Sequence, residues 1–128
     1  MSYYFNKTLK ADFPHAVERV TESLKQQGFG IITEIDVKST FETKLGIGFR
    51  NYRILGACNP SMAREALLLE DKIGTMLPCN VVVQELPDGQ IEVAAIDPVA
   101  SMAAVDNPQL KQMARGVGEM LQKVVASV

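Results

Sequence analysis

The sequence predicts an α+β fold, a two-layer sandwich in which helices cover a mainly antiparallel sheet. Helical patterns lie near both ends of the chain, and two apolar strand patterns flank a turn at Pro87-Asp88-Gly89. Strands and helices do not alternate often enough for a doubly wound parallel sheet. The 128 residues are therefore expected to form a single domain, residues 1–128, with a core that needs no disulfide.

The first third of the chain predicts a strand, a helix and a second strand. Tyr3 to Leu9 is rich in β-favouring residues. Asp12 is a suitable N-cap, Pro14 falls in the first helical turn, and Gly28 is a suitable stop. The apolar face of this helix is formed by Phe13, Val17, Val20 and Leu24. Phe29 to Val37 is expected to be the second strand.

The middle of the chain predicts two helical segments on either side of a strand. Ser39-Thr40 can cap a short helix through Leu45, with Glu42 in the position of a capping box. Phe49 to Ala57 alternates as a third strand, with Tyr52, Ile54 and Gly56 on one face. Asn59-Pro60-Ser61 should start a helix over Met62 to Leu69, followed by a helical turn over Asp71 to Met76.

The last third predicts a hairpin and a long helix. The hairpin should pair Val83–Leu86 with Gln90–Val93 across a turn in which Gly89 supplies positive φ. Asn107-Pro108 should open the final helix. Its apolar face is formed by Leu110, Met113, Ala114, Val117, Leu121 and Val124. Gly116 and Gly118 inside it indicate either a close backbone approach, to the sheet or to another subunit, or simple tolerance.

The composition argues against several classes of function. The formal net charge is −2 and the charges are scattered, so no basic stripe is available for nucleic acid. No apolar run approaches the length of a membrane span, and the N-terminus lacks the layout of a signal peptide. We therefore expect a cytoplasmic protein that binds neither nucleic acid nor membrane, with its two cysteines reduced.

Four segments, "GFGIITEIDV", "YRILGACNP", "IGTMLPCNVVV" and the closing proline-started helix, carry a resemblance to a known family. From about Tyr3 to the last helix, the chain resembles the bacterial and archaeal family called domain of unknown function 302. The resemblance implies a β-α-β(4)-α topology and a homodimer. It implies no activity, because no activity is established for that family.

Cys58-Asn59 and Cys79-Asn80 form the candidate ligand or thiol site. If the strands that end and begin there are neighbours, the two thiols lie close together at one edge of the sheet. A helix N-terminus favours a thiolate, so Cys58 is the better nucleophile and Cys79 a possible resolving thiol. Alternatively, both are small buried residues, and the asparagines only bond to backbone at the corners.

Other candidate sites are weaker. Two cysteines and one histidine are too few for a zinc site unless two chains pool their ligands, so no metal site is predicted. His15, in the first helical turn, is expected to be a solvated surface residue, and the helix N-terminus would favour its neutral form. Glu34 and Asp36 share one face of a strand, as the solvent side of a strand commonly does.

Three classes of function remain: a homodimeric module that binds a small ligand, a thiol-dependent enzyme or redox protein, and an interaction protein. Met62, Met76, Met102 and Met113 could line an adaptable apolar pocket near the cysteines or could simply fill the core. A pocket lined by both cysteines and by methionines would favour the binding module. The sequence specifies no cofactor and no catalytic residue.

Overall fold

The computed structural model describes residues 2–128 and contains a five-stranded antiparallel sheet with its helices. The elements are β1 (Tyr4–Leu9), α1 (Phe13–Gln26), β2 (Gly30–Asp36), α2 (Val37–Leu45), β3 (Tyr52–Cys58), α3 (Pro60–Leu69), a 3₁₀ helix (Asp71–Met76), β4 (Cys79–Glu85), β5 (Ile91–Ile96), α4 (Pro98–Ser101) and α5 (Pro108–Ser127). The strand order is β1-β5-β4-β3-β2. This confirms the α+β sandwich, and the long elements follow the β-α-β(4)-α order.

One face of the sheet is buried beneath α1 and α5, which contact each other and the strands below them. Alternate strand residues point into this layer and form the main core with the apolar faces of the two helices. Leu55, Val81, Val83, Val93 and Ala95 are completely buried there. The residues between them point to the other side, which is called the open face below.

A second, smaller apolar cluster lies beside the main core. It contains Ala66 of α3, Ile73 of the 3₁₀ helix, Met102, and Leu110 and Ala114 of α5. The chain therefore leaves the sheet at the end of β3, contributes α3 and the 3₁₀ helix to this second cluster, and returns at the start of β4.

Helix caps explain where the first two helices begin. Asp12 caps α1 as predicted, since its Oδ1 accepts from the N–H of His15 at 3.0 Å. The prediction that Ser39-Thr40 caps α2 was wrong. Asp36 Oδ1 accepts from the N–H of Ser39 at 3.0 Å, so the helix begins at Val37 and β2 ends at Asp36.

Two other boundaries differ from the sequence prediction. The third strand begins at Tyr52 rather than Phe49, and α3 begins at Pro60 rather than Met62 because Asn59 is its N-cap. The short helix α4 was not predicted. It forms because Asp97 accepts from the N–H of Val99 at 3.0 Å and Pro98 occupies the first helical turn.

The predicted hairpin is confirmed. Val83 pairs with Val93, and the N–H of Leu86 donates to the carbonyl of Gln90 at 2.8 Å. Gly89 has φ of 86°, the positive value that the turn was expected to require.

The final helix needs neither of its two glycines for close packing within the chain. A methyl group built on Gly116 would meet nothing within 4 Å, and one on Gly118 would lie an ordinary 3.7 Å from Pro98. Within one chain, the two glycines are therefore explained by a helix that simply tolerates them.

Candidate functional site

A cavity of about 360 Å³ lies where β3 ends and β4 begins, between the main core and the second apolar cluster. The ends of β3 and β4 contribute lining residues, and so do α3, α4 and α5. Its lining consists of aliphatic, methionine, cysteine, proline and glycine residues together with Phe29 and Asn59. Among residues 2–128, no charged side chain contributes to it.

Both cysteines line this cavity as free thiols. Cys58 is the last residue of β3 and Cys79 the first of β4. Since Cys79 pairs with Ala57 in the sheet, the two cysteines are one register position apart on adjacent strands. The sequence prediction that the two lie close together is therefore confirmed. Only Cys79 is buried, however, and Cys58 remains partly exposed.

The surroundings of Cys79 keep its thiol protonated. Burial, together with the nearby charge of an ionised Cys58, raises the pKa of Cys79 to about 11. A thiolate is the nucleophilic form of cysteine, so Cys79 is a poor nucleophile at neutral pH. Its role in the cavity is that of a small apolar wall residue.

The structure separates the two asparagines of the candidate site. Asn59 lines the cavity and caps α3, with its Oδ1 accepting from the N–H of Met62 at 3.2 Å. Asn80 pairs with Gly56 and its exposed side chain lies on the open face of the sheet. Cys58, Asn59 and Cys79 are thus brought together, and Asn80 is not part of that arrangement.

Three of the four methionines considered from the sequence also line the cavity. They are Met62 of α3, Met102 after α4, and Met113 of α5. Met76, at the end of the 3₁₀ helix, is 38% exposed and lies outside it. Thioether side chains adapt to ligands of different shapes because they are flexible and polarisable.

Sequence reasoning missed most of the remaining wall. Leu110, Ala114 and Val117 were recognised only as an apolar helix face, and Pro98 was not assigned to any element. Their helical spacing is the same for a core face and for a cavity wall, so periodicity could not separate the two.

The strand wall of the cavity depends on Gly56. A Cβ at this position would lie 2.0 Å from Thr33 Oγ1 and 2.7 Å from Pro78 Cγ. The glycine thus allows the ring of Pro78, itself a lining residue, to sit against β3.

His15 is not part of the cavity lining and lies on the exposed start of α1. Its Nδ1 is 2.6 Å from Asp12 Oδ2. This hydrogen bond and the charge of Asp12 raise the pKa of His15, and the backbone and side-chain bonds from His15 lower the pKa of Asp12. The raised pKa favours the charged form of His15, whereas the neutral form was expected from the helix N-terminus.

The carboxylates of β2 are held by an arginine. Arg53 Nη1 lies 2.9 Å from Glu34 and Nη2 lies 3.9 Å from Asp36, and all three side chains are partly exposed. This arrangement is a surface ion pair with a second, looser contact. Over residues 2–128, no group of three or more His, Cys, Asp or Glu side chains is placed to hold a metal ion.

No helix within residues 2–128 combines the length and the apolar character required to cross a membrane.

Residues 5–128 match the family model described as "Domain of unknown function DUF302". A crystal structure of an uncharacterized conserved DUF302 protein from Bacillus stearothermophilus is similar, with 26% sequence identity and a TM-score of 0.92. The alignment covers 99% of this chain and 98% of that one. Comparison with curated proteins gives no match.

Proposed function

The chain belongs to the DUF302 family, a family of unknown function, and we propose that it is a homodimeric domain that binds a small apolar ligand in the cavity beside Cys58 and Cys79. The observation that carries this proposal is the cavity itself, which lies beside both thiols and is lined by three methionines. Its volume of about 360 Å³ lies within the range of about 300–1,000 Å³ that is usual for small-molecule sites.

The lining defines what the cavity can take. Burying an ion without a partner is costly, and the residues around the cavity offer no charge to compensate it. An apolar molecule, by contrast, gains from leaving water and contacts wall side chains that can adjust to its shape.

A neutral fluorescent probe can test this proposal. N-phenyl-1-naphthylamine fluoresces in apolar surroundings, and titration of the protein with it should give saturable binding at one site per chain. Ala114→Leu places a larger side chain in the cavity wall and should weaken binding at least tenfold. Ala126→Leu, on the exposed side of the same helix, is the matched control. If Ala114→Leu binds the probe as tightly as Ala126→Leu does, the probe binds elsewhere and the cavity is refuted as the site.

The dimer contact is proposed to be the open face of the sheet, with a second copy of the chain as its occupant. Among the strand positions that point to this side, Glu92 is the only charged residue, and the others are apolar or neutral polar. Its carboxylate accepts from Asn6 Nδ2 at 3.1 Å and from Gln84 Nε2 at 3.0 Å. Such depletion of charge is typical of the centre of a protein interface.

The size of the face also suits a dimer. Five strands of about six residues give a surface of about 24 by 20 Å, from strand spacing and rise. The projected area is about 480 Å², and the accessible surface of the projecting side chains is larger, so the face approaches the roughly 800 Å² per partner that a standard interface buries. A twofold arrangement requires only that the face complement itself, and two sheets can pack face to face about 10 Å apart.

Light scattering can test the dimer. The 14.0 kDa chain should have a solution mass of twice that value. Val82→Lys places a charge at the centre of the open face and should give the monomer mass, whereas Leu68→Lys, on the exposed side of α3, should leave the dimer intact. A dimer that persists in Val82→Lys, or a monomeric parent protein, would refute this part of the proposal.

A thiol-dependent enzyme is the alternative function, supported by one feature. Cys58 is partly exposed at the cavity and directly precedes the N-cap of α3. In this alternative, Cys58 would attack a bound ligand. The raised pKa of Cys79 is unfavourable for its role as a second, resolving thiol. Two free thiols are also consistent with the proposed cytoplasmic location.

A further inference from the structure

If the cavity is the ligand site, as proposed above, its ligand is expected to have a polar group as well as an apolar body. We propose that the ligand is a neutral carbonyl compound, such as a ketone, aldehyde or ester, whose oxygen accepts a hydrogen bond from Asn59 Nδ2. Asn59 is the side-chain amide in the lining, so the polar end of the ligand is assigned to the Cys58–Asn59 end of the cavity.

The orientation of the Asn59 amide is fixed by the helix that it caps. The backbone N–H of Met62 can only donate, and it donates to Asn59 Oδ1 at 3.2 Å. The oxygen must therefore face the helix, and the NH₂ group must point away from it. A flipped amide would place two donors against each other.

Gly28 leaves room for the other side of the amide. A Cβ built on Gly28 would lie 3.2 Å from Asn59 Nδ2, so the NH₂ group fits closely against a residue that has no side chain. Gly28 has φ of 86°, which favours glycine for its backbone as well. The amide is thus oriented by its hydrogen bond from Met62, and the missing side chain of Gly28 leaves space for its NH₂ group.

This donor has capacity left for a ligand. Within residues 2–128, Asn59 Nδ2 donates no hydrogen bond to another protein group, although the residue is partly buried. When an apolar molecule fills the cavity and displaces water, a donor without a partner becomes costly. A carbonyl oxygen on the ligand removes that cost.

The same lining argues against an acid or an amine. A carboxylate would find one neutral donor and no cation, and an ammonium group would find no carboxylate, because no charged residue among those described lines the cavity. A neutral acceptor attached to an apolar body therefore satisfies both features of the site.

Acetophenone and ethylbenzene form a suitable ligand pair, since they have similar shapes and differ in the carbonyl oxygen. Their affinities are measured by displacement of N-phenyl-1-naphthylamine. Asn59→Asp keeps a side-chain oxygen for the helix cap but removes the donor. The substitution should lower the affinity for acetophenone about five- to tenfold, the range expected for one hydrogen bond. The affinity for ethylbenzene should fall less than twofold. Asn80→Asp, the same change on the open face, should affect neither ligand.

The outcomes separate this inference from the proposed function. If Asn59→Asp changes the affinities of both ligands equally, the carbonyl inference is wrong while the apolar cavity remains a binding site. If N-phenyl-1-naphthylamine itself does not bind the parent protein, the proposed function fails, and the inference with it. If the probe binds but neither compound displaces it, the carbonyl inference is wrong and the apolar site stands. In the parent protein, the side-chain ¹⁵N–H₂ resonances of Asn59 should shift with acetophenone more than with ethylbenzene. Equal shifts would refute the carbonyl contact without relying on any variant.

Discussion

The buried thiol of Cys79 predicts a loss of stability in alkaline solution that one substitution should remove. Burial raises its pKa from the ordinary 9.0 to about 11 in the folded protein. The unfolded chain therefore releases this proton at a lower pH than the folded chain does. Between pH 9 and 11 the folded state holds the proton and the unfolded state does not, so the free energy of unfolding falls as pH rises.

The size of the effect follows from the two pKa values. Below pH 9 the thiol is protonated in both states, and its contribution to the free energy of unfolding is constant. At pH 10.5 the linkage relation gives a loss of about 2 kcal/mol, and the limit above pH 11 is about 2.7 kcal/mol, at 1.36 kcal/mol for each pKa unit. With a urea m-value of about 2 kcal/mol/M, the free-energy loss at pH 10.5 lowers the urea concentration at the unfolding midpoint by about 1 M.

The assay compares the parent protein with Cys79→Ala at pH 8 and pH 10.5, under reducing conditions, with unfolding in urea followed by circular dichroism. All other ionisable groups are the same in both proteins, so only the difference between the two pH-dependent losses reports on Cys79. Between pH 8 and pH 10.5, the urea concentration at the unfolding midpoint should fall by about 1 M more for the parent protein than for the variant. Equal losses would mean that the thiol is already solvated in the folded state, and the argument from burial would be refuted.

Three further predictions concern the glycine wall, the histidine pair and the exposed thiol. Gly56→Ala should lower the free energy of unfolding by about 1–3 kcal/mol through overpacking, measured in urea, while Gly30→Ala, which meets nothing within 4 Å, should change it much less. Asp12→Asn keeps the helix cap but removes the charge, so the pKa of His15 measured by NMR titration should fall, and an unchanged value would contradict the pairing. Iodoacetamide at pH 8 should modify the folded protein at Cys58 alone, because the other thiol is buried and protonated; mass spectrometry showing both thiols modified without unfolding would contradict this.

The elements that the sequence predicted best are those with a local chemical cause. The hairpin around Gly89 and the helices capped by Asp12, Asn59 and Asn107 depend on residues within a few positions of each other. The start of α2 was harder to predict, because Asp36 and Ser39 both offer a capping oxygen at positions only three residues apart. The sequence cannot say which of them lies on the last residue of a strand, and that position decides the cap.

The site was predictable to the extent that it depends on strand order. Placing β3 next to β4 brings Cys58 and Cys79 together, as expected from neighbouring strands. Successive residues of a strand point to opposite faces of the sheet. Asn80 therefore points to the open face, because it directly follows Cys79, which points into the core. The cavity depends on how closely α3, α4 and α5 approach the sheet, and periodicity carries no information about that distance.

The position of the cavity follows from the path of the chain between β3 and β4. α3 and the 3₁₀ helix pack with α5 and Met102 in a cluster separate from the main core. Small residues from both clusters line the cavity and leave its space unfilled: Ala57 and Cys79 on the strands, Ala66 on α3, and Ala114 on α5. Larger side chains at these positions would join the clusters into one core. The cysteines lie at the two points where the chain leaves and re-enters the sheet, so their small volume helps to keep the space open whether or not Cys58 reacts. A ligand that fills this space would connect the two clusters, which links binding to the stability of the α3 segment.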